Sequence, residues 1–258
     1  MTAAAMASLH GRTLLLTGAS SGIGAHFAGV AAAAGARLVL GARRTELLEE
    51  VVAAIRTAGG EAIAVAMDVA DKRSTVAAFD AAEAAFGPVD SVIANAGMSL
   101  ETPFLDHSPE DFDRIMAVNL KGVFLTVQEA AKRMMAAGSA TREHGRIVIV
   151  SSITAQAIEP GLAAYSASKA AVLQMGKVLA REWARKGINV NSVLPGYIVT
   201  GINADWFATE GGQKQVMRFP RKRVMDIDAL DPVLLYLCSD AARFVTGSAF
   251  TIDDGQSL

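Results

Sequence analysis

The sequence predicts an α/β fold in which a doubly wound parallel sheet carries helices on both faces. Short apolar runs alternate with longer segments of helical periodicity, a pattern typical of parallel sheets with right-handed crossovers. The runs are continuously apolar, as expected for strands that are covered on both faces. With 258 residues, of which 52% are hydrophobic, the chain suits one large core, so we expect residues 1–258 to form a single domain.

Seven segments are predicted as strands of a mostly parallel sheet, and helical patterns lie between them. The strands are 13–18, 37–42, 61–69, 90–97, 146–152, 188–196 and 248–255. The helices are 22–34, 45–58, 72–86, 109–136, 162–186 and 228–239. Thr45 is expected to cap the second helix, and Ser108, which precedes Pro109, is expected to cap the fourth. Segment 197–225 is long for a loop, so we expect it to contain some helix or to act as a lid.

The composition argues against several classes of protein. A net charge of -2 provides no general attraction to nucleic acid or to an anionic membrane. The only cysteine, Cys238, excludes an internal disulfide and a cysteine-only metal site, and it fits a reducing compartment. The N-terminus lacks the pattern of a signal peptide, and no run of ~20 apolar residues is present. We therefore expect a cytoplasmic protein with no metal ion, no nucleic-acid partner and no membrane span.

A glycine-rich loop, TGASSGIG at 17–24, follows the first strand and opens the first helix. Gly18 would allow the tight turn, Gly22 would let the backbone approach a pyrophosphate, and Gly24 would let the helix pack against the sheet. The N–H groups that begin the helix would then face the phosphates. A glycine-rich turn without a ligand is the alternative, but a strand before the loop and a helix after it favour a dinucleotide.

The end of the second strand indicates which dinucleotide is bound. An acidic residue there would bind the ribose 2′-hydroxyl of NAD, but this chain has Ala42, followed by Arg43 and Arg44. A guanidinium binds a 2′-phosphate well, so we predict NADP(H), with Arg43 as the phosphate contact. The alternative is that both arginines only begin a solvated helix.

Tyr165 and Lys169 are spaced to share one face of the predicted helix 162–186. A free phenol has a pKa of about 10, and a cation one turn away lowers the pKa toward the working range of an acid–base group. Ser152 ends a predicted strand shortly before, where its hydroxyl could bind a substrate oxygen. Asn119 lies in an apolar helical run and is expected to bond to backbone there, which would free a carbonyl to hold a water.

Taken together, these motifs resemble those of the short-chain dehydrogenase/reductase family. The resemblance covers 12–257, and its motifs occur in family order: TGASSGIG, Asp68, NAG at 95–97, Asn119, Ser152, Tyr165, Lys169 and PGYIVT at 195–200. It implies a Rossmann fold and reversible, NADP(H)-dependent reduction of a ketone to a secondary alcohol. Asn119, Ser152, Tyr165 and Lys169 would form the catalytic tetrad. Ala94 departs from the family pattern, which usually has a further asparagine at this position.

The resemblance also implies which residues contact the cofactor. The predicted set is Gly18, Ser20, Ser21, Gly22, Ile23, Gly24, Arg43, Arg44, Asp68, Val69, Asn95, Ala96, Gly97, Tyr165, Lys169, Pro195, Gly196, Ile198 and Thr200. Asp68 would bind the adenine amino group, and Ile198 and Thr200 would bind the nicotinamide carboxamide. Asp68 as a helix cap and Thr200 as an ordinary turn residue are the alternatives.

The predicted substrate pocket is mostly apolar, which favours a hydrophobic ketone or alcohol. Its expected residues are Met98, Leu100, Ile153, Gln156, Ile158, Tyr197, Trp206 and Phe207. The basic run 219–223 is interpreted as a solvated or subunit-facing segment rather than a nucleic-acid patch.

Two alternative functions remain open at this point. A 3-oxoacyl carrier-protein reductase would need basic residues such as Arg218–Arg223 beside the pocket, and a non-catalytic nucleotide sensor would need no tuned acid. The family also implies a homotetramer, with a dimer as the alternative.

Overall fold

The computed structural model describes residues 8–200 and 204–258, so positions 201–203 of the predicted lid lie outside the described residues. Its centre is one seven-stranded sheet in the order β3-β2-β1-β4-β5-β6-β7. The described strands all pair in parallel, which confirms the predicted fold class. They are β1 Thr13–Thr17, β2 Arg37–Ala42, β3 Glu61–Ala66, β4 Ser91–Ala94, β5 Gly145–Val150, β6 Ile188–Pro195 and β7 Ala249–Ile252.

The helices lie on both faces of this sheet or at its edges. They are α1 Gly22–Ala33, α2 Thr45–Thr57, α3 Lys72–Phe86, α4 Pro109–Met116, α5 Gly122–Ala136, α6 Ser139–Arg142, α7 Ala163–Trp183, α8 Ala204–Ala208, α9 Glu210–Val216 and α10 Asp231–Cys238. Short 3-10 turns occupy Phe104–Asp106, Ile153–Ala155, Ala184–Lys186, Ile227–Leu230 and Asp240–Ala242. The predicted lid therefore contains two short helices, α8 and α9. No helix in the described part of the chain is long and apolar enough to cross a membrane.

A hydrophobic core lies on each face of the sheet, because successive side chains of a strand point to opposite faces. Leu14 and Leu16 of β1 pack with Phe27 of α1 in one core, while Leu15 packs with Phe79 of α3 in the other. All three leucines are fully buried. Burial on both faces explains why the strands are continuously apolar in sequence.

The strand order reverses between β1 and β4, so the loops after these strands open a crevice at the carboxyl edge of the sheet. Leu16 of β1 pairs with Leu40 of β2 on one side and with Ile93 of β4 on the other. The segments that carry the glycine loop, Asp68, Asn95 and Ser152 leave from this edge, whereas Asn119, Tyr165 and Lys169 lie on helical segments.

The structure corrects some helix predictions. The predicted helix 109–136 is interrupted by a π turn at Ala117–Lys121, and the last helix is preceded by a 3-10 turn. Thr45 does not cap α2, because it is already the first helical residue and Arg44 occupies the cap position. Ser108 caps α4 as predicted, since its side chain accepts from the Asp111 N–H at 3.1 Å.

Candidate active site

The glycine loop leaves the end of β1 in a conformation that needs its glycines. Gly18 and Gly22 have φ values of +69° and +56°, in the left-handed region that side chains disfavour. A Cβ on Gly24 would lie only 2.4 Å from the Gly18 carbonyl oxygen, so a larger residue would push α1 off the loop. Ser21, the N-cap of α1, makes no side-chain cap bond, which leaves the first helical N–H groups available to an anion.

Asn95 stabilises this loop by hydrogen bonds to the backbone at the end of β1. Its amide nitrogen donates to the carbonyl oxygens of Thr17 at 2.9 Å and Gly18 at 3.3 Å, and the Thr17 hydroxyl accepts from the N–H groups of Asn95 and Ala96. The side chain thereby ties the end of β4 to the end of β1 and holds the loop. Its contact with the cofactor stays a prediction.

The two predicted 2′-phosphate residues differ in their contacts. Arg44 donates to the hydroxyls of Ser20 at 3.1 Å and Ser21 at 2.7 Å, which joins the start of α2 to the glycine loop. Arg43 is exposed and has no hydrogen bond or ion pair within the described residues. Among the described residues, the Arg43 guanidinium therefore has no partner, whereas the Arg44 guanidinium is already bound to the glycine loop.

At the end of β3, the Asp68 carboxylate accepts from the Ala70 N–H at 3.0 Å. The cap of α3 is Asp71, whose side chain accepts from Arg73, so the alternative that Asp68 caps the helix is wrong. Val69 is buried against α5, where a Cβ on Gly122 would approach it to 2.6 Å.

Lys169 is buried on α7, and its ammonium donates to the Val150 carbonyl oxygen at 2.8 Å. The ammonium lies 5.6 Å from the centre of the Tyr165 ring. Burial lowers the pKa of Lys169 to about 8. A Cβ on Gly97 would lie 3.4 Å from the Lys169 ammonium and 3.5 Å from the Asn119 side-chain oxygen, so glycine keeps the space between these two groups open.

The pKa of Tyr165 is shifted opposite to the prediction. Burial raises the pKa above the usual value of the phenol, and a hydrogen bond with Ser152 opposes the rise. Lys169 does not offset the burial, because its ammonium is itself desolvated and bonded to Val150. Ser152 is buried at the end of β5 and also accepts from the N–H and hydroxyl of Thr154.

Asn119 is fully buried in the π turn. Its side chain was predicted to bond to the backbone of its own helix, but it bonds to other segments instead. Its oxygen accepts from the Met98 N–H at 2.8 Å, and its nitrogen donates to the Met98 carbonyl at 2.9 Å and to the Ser168 hydroxyl at 3.1 Å. The amide therefore joins the loop after β4 to α7, next to Lys169.

The segment after β6 lies over the glycine loop. A Cβ on Gly22 would lie 3.8 Å from the Thr200 methyl group, which brings Thr200 to the start of α1. A Cβ on Gly196 would lie 2.4 Å from the Gln256 side-chain oxygen, so Gly196 and Pro195 are held against the C-terminal segment. Ile198 is buried and pairs with Met225 in an isolated β-bridge.

The predicted substrate residues divide into packed and exposed members. Phe207 is buried edge-on against the Tyr197 ring at 6.0 Å, and Ile153 is buried beside Ser152. Ile158 is 94% exposed and Gln156 is also exposed, so neither lines an enclosed pocket in this structure. Trp206 is partly exposed, and its indole N–H donates to Gln215 at 3.1 Å.

Three residues of this region, Glu101, Glu159 and Gln215, fall within the predicted pocket ranges 97–103, 153–160 and 197–216 but were not named individually, and Phe219 lies outside these ranges. Phe219 stacks on Tyr197 with ring centres 5.5 Å apart, and burial together with the charges of Glu159 and Glu101 raises the pKa of the Tyr197 hydroxyl. Nothing in their local spacing indicates these contacts, because each one joins separate loops. Among residues 8–200 and 204–258, no group of His, Cys, Asp and Glu side chains could hold a metal ion.

Comparisons with known proteins agree with this geometry. A family model described as Enoyl-(Acyl carrier protein) reductase matches residues 18–257. The chain is 33% identical to a gluconate 5-dehydrogenase of Gluconobacter oxydans, over 96% of this chain and 95% of that protein. It is 35% identical to a D-threitol dehydrogenase of Mycolicibacterium smegmatis, over 97% of this chain and 94% of that protein.

Two solved structures are similar over nearly their whole length. A short-chain type dehydrogenase/reductase from Mycobacterium marinum has a TM-score of 0.92 at 34% identity, with 98% of each chain covered. A gluconate 5-dehydrogenase from Burkholderia cenocepacia, in complex with NADP and tartrate, has a TM-score of 0.92 at 33% identity. That match covers 99% of this chain and 98% of the other.

Proposed function

Because this chain belongs to the short-chain dehydrogenase/reductase family, we propose that it is an NADP(H)-dependent oxidoreductase that reversibly reduces an apolar ketone to a secondary alcohol. The observation that carries the proposal is the arrangement of Ser152, Tyr165 and Lys169 at the carboxyl edge of β5. The Ser152 hydroxyl opposes the burial-driven rise in the pKa of Tyr165, and the buried Lys169 ammonium lies 5.6 Å from the centre of the Tyr165 ring. A phenol, a hydroxyl and a cation together suit proton transfer to a carbonyl oxygen.

The residues around the crevice fit a dinucleotide. The left-handed glycines and the uncapped start of α1 favour the pyrophosphate, and Asp68 keeps a carboxylate oxygen that accepts no hydrogen bond among the described residues. No carboxylate stands at the end of β2, and Arg43 is free to bind a 2′-phosphate. When bound, the nicotinamide ring supplies or accepts the hydride.

The protein groups handle the proton. In reduction, the Tyr165 hydroxyl gives its proton to the carbonyl oxygen while the Ser152 hydroxyl donates a hydrogen bond to that oxygen. The raised pKa of Tyr165 keeps it protonated near neutral pH, which is the state that gives a proton to the carbonyl in reduction. Lys169 would exchange its bond to Val150 for the nicotinamide ribose, and a water held by the Asn119 carbonyl would relay protons to it.

The substrate would lie against an apolar surface. Ile153 and Phe207 are buried at the site, and Phe207 and Phe219 pack on the Tyr197 ring. These contacts favour a hydrophobic carbonyl compound over a phosphorylated sugar.

The two alternative functions receive less support. Arg221 and Arg223 both pair with Asp254, at 3.2 Å and 2.6 Å, which neutralises part of the surface that an acidic carrier protein would need. The desolvated Tyr165 and Lys169 would have no purpose in a nucleotide sensor.

We further propose a cytoplasmic homotetramer. Apolar side chains exposed on α4, α5 and α7 would be covered by subunit contacts: Phe112, Phe124 and Val178.

The test is turnover of NADPH and NADH by the purified protein over a panel of cyclic ketones, aryl ketones, diketones, 3-oxoacyl thioesters and sugars. We expect NADPH to be oxidised with apolar ketones. Tyr165→Phe should lower kcat/KM by about 10²- to 10⁴-fold without loss of NADPH binding. Tyr236→Phe, a change in α10, is the matched control and should leave kcat/KM unchanged.

Other results would contradict the proposal in different ways. A preference for NADH would refute the assignment of Arg43. Tight NADPH binding with no turnover across the panel would favour the nucleotide sensor.

A further inference from the structure

Residues 253–257 form a hydrogen-bonded turn directly after β7. The Asp253 carboxylate accepts from the N–H groups of Gly255 at 3.0 Å and Ser257 at 2.9 Å. The Gln256 N–H donates to the Asp253 carbonyl oxygen at 2.9 Å. These bonds fix the backbone of the turn, and they thereby fix the place from which the half-buried Gln256 side chain leaves it.

The Gln256 side chain bonds to the backbone of Tyr197, in the segment that follows β6. Its oxygen accepts from the Tyr197 N–H at 2.6 Å, and its nitrogen donates to the Tyr197 carbonyl oxygen at 3.2 Å. The orientation of the amide follows from these partners, because a backbone N–H only donates and a carbonyl only accepts. A Cβ on Gly196 would lie 2.4 Å from the Gln256 oxygen, so the glycine lets the amide reach this backbone.

Segment 196–200, which contains this anchor point, runs from the end of β6 to the glycine loop. At its start, the Ser151 N–H donates to the Val193 carbonyl oxygen at 2.8 Å, so β6 ends beside the end of β5. At its far end, the Thr200 methyl group would lie 3.8 Å from a Cβ on Gly22. A dinucleotide with its pyrophosphate at the start of α1 and its nicotinamide at the proton-transfer groups beyond β5 must follow the same path.

We propose that Gln256 is a positioning residue, which holds segment 196–200 in the place where the nicotinamide half of NADP(H) would bind. The inference rests on the proposed function and adds a residue from outside the sequence motifs. A segment that is ordered in advance costs a ligand less free energy to bind. The Met225 N–H also donates to the Tyr197 carbonyl oxygen, at 3.1 Å, and the Tyr197 ring stacks on Phe219, so loss of the Gln256 amide should loosen the segment rather than unfold it.

The experiment compares the binding of two ligands, NADPH and adenosine 2′,5′-bisphosphate, which lacks the nicotinamide half. Their Kd values are measured by titration calorimetry in the unmodified protein and in Gln256→Met, which has an unbranched side chain of similar length but cannot make the two bonds. We expect the Kd for NADPH to rise by about tenfold, because binding must then also order the segment. The Kd for the bisphosphate should stay within about twofold, because its adenosine would lie at the ends of β2 and β3.

Ser257→Ala is the matched control in the same turn. It removes the hydroxyl that bonds to the Asp253 carboxylate, but it keeps the Ser257 N–H bond and both bonds between Gln256 and Tyr197. We expect both Kd values to stay within about twofold. Gln256→Asn keeps the amide on a side chain that is one methylene shorter, so it is a milder variant that should raise only the Kd for NADPH, by about threefold.

An equal loss of affinity for both ligands in the two Gln256 variants would overturn the inference, because it would mean that the side chain supports the fold as a whole. Unchanged NADPH binding in Gln256→Met would also overturn it. Failure of the proposed function has a different signature: Gln256→Met loses affinity for NADPH selectively, but the unmodified protein oxidises NADPH with no ketone of the panel.

Discussion

The buried amide of Asn119 provides the strongest test of how the site is held together. Asn119→Ala would remove the side-chain partners of the N–H and carbonyl of Met98, a half-buried residue. The Ser168 hydroxyl would lose one bond but keep its 2.6 Å bond to the Tyr165 carbonyl. A typical intramolecular hydrogen bond contributes about 0.5–1.5 kcal/mol, so the loss of the two bonds to Met98 predicts a decrease of about 2 kcal/mol in the free energy of unfolding.

Asn191→Ala is the matched control. Asn191 is also buried, and its side chain also bonds to two backbone groups, the Val245 carbonyl at 2.8 Å and the Ser248 N–H at 3.1 Å. It lies on β6 beside the C-terminal strand rather than at the catalytic groups. We expect a similar loss of stability, about 2–3 kcal/mol, but kcat/KM within about twofold of the unmodified protein.

The assay is urea unfolding at one fixed protein concentration, because subunit association would otherwise shift the midpoint. It is paired with kcat/KM on the ketone found to turn over. Asn119→Ala should lower both quantities, with kcat/KM reduced by at least about tenfold because the loop that carries Met98 is released beside Lys169. If Asn119→Ala lost no more than about 0.5 kcal/mol, or if both variants lost activity equally, the argument from these contacts would be refuted.

Three further predictions concern the lysine, the second strand and the first helix. Burial lowers the pKa of Lys169 to about 8, so its unfolded form binds more protons above this pH, and this group by itself should raise stability by about 2 kcal/mol between pH 8 and pH 10. Burial raises the pKa of the Cys238 thiol to about 12, which lowers stability over the same range. The test is therefore the difference in urea unfolding between the unmodified protein and Lys169→Met, which should change by about 2 kcal/mol from pH 8 to pH 10. Arg43→Ala should raise the Kd for NADPH by at least about tenfold and leave that for NADH within twofold, measured by fluorescence titration. Gly24→Ala should lower the free energy of unfolding by more than about 2 kcal/mol and weaken NADPH binding, because its Cβ would lie 2.4 Å from the Gly18 carbonyl oxygen. Gly29 lies on the same helix in open space, so Gly29→Ala should raise the free energy of unfolding by about 0.5–1 kcal/mol. Equal effects of the two alanines on unfolding would contradict the packing argument.

Much of the fold could be predicted because its signals are local. Continuous apolar runs mark the strands, and glycines mark the turn after β1, since both requirements act within a few residues. The same holds for Tyr165 and Lys169, whose spacing alone brings them to one face of α7. The helix 109–136 was predicted as continuous because a π turn keeps the apolar pattern of an α-helix and changes only the backbone bonds.

Residue chemistry by itself therefore determined the sheet, the glycine loop and the set of groups available for proton transfer. The tertiary structure decided what each polar group bonds to: Asn119 binds Met98, Asn95 binds the glycine loop, and Lys169 donates to the Val150 carbonyl. It also decided the direction of the Tyr165 pKa shift, because the cost of desolvation depends on packing from several elements and outweighs the charge one turn away. Periodicity and spacing act along the chain, whereas burial and hydrogen-bond partners arise only when distant loops meet.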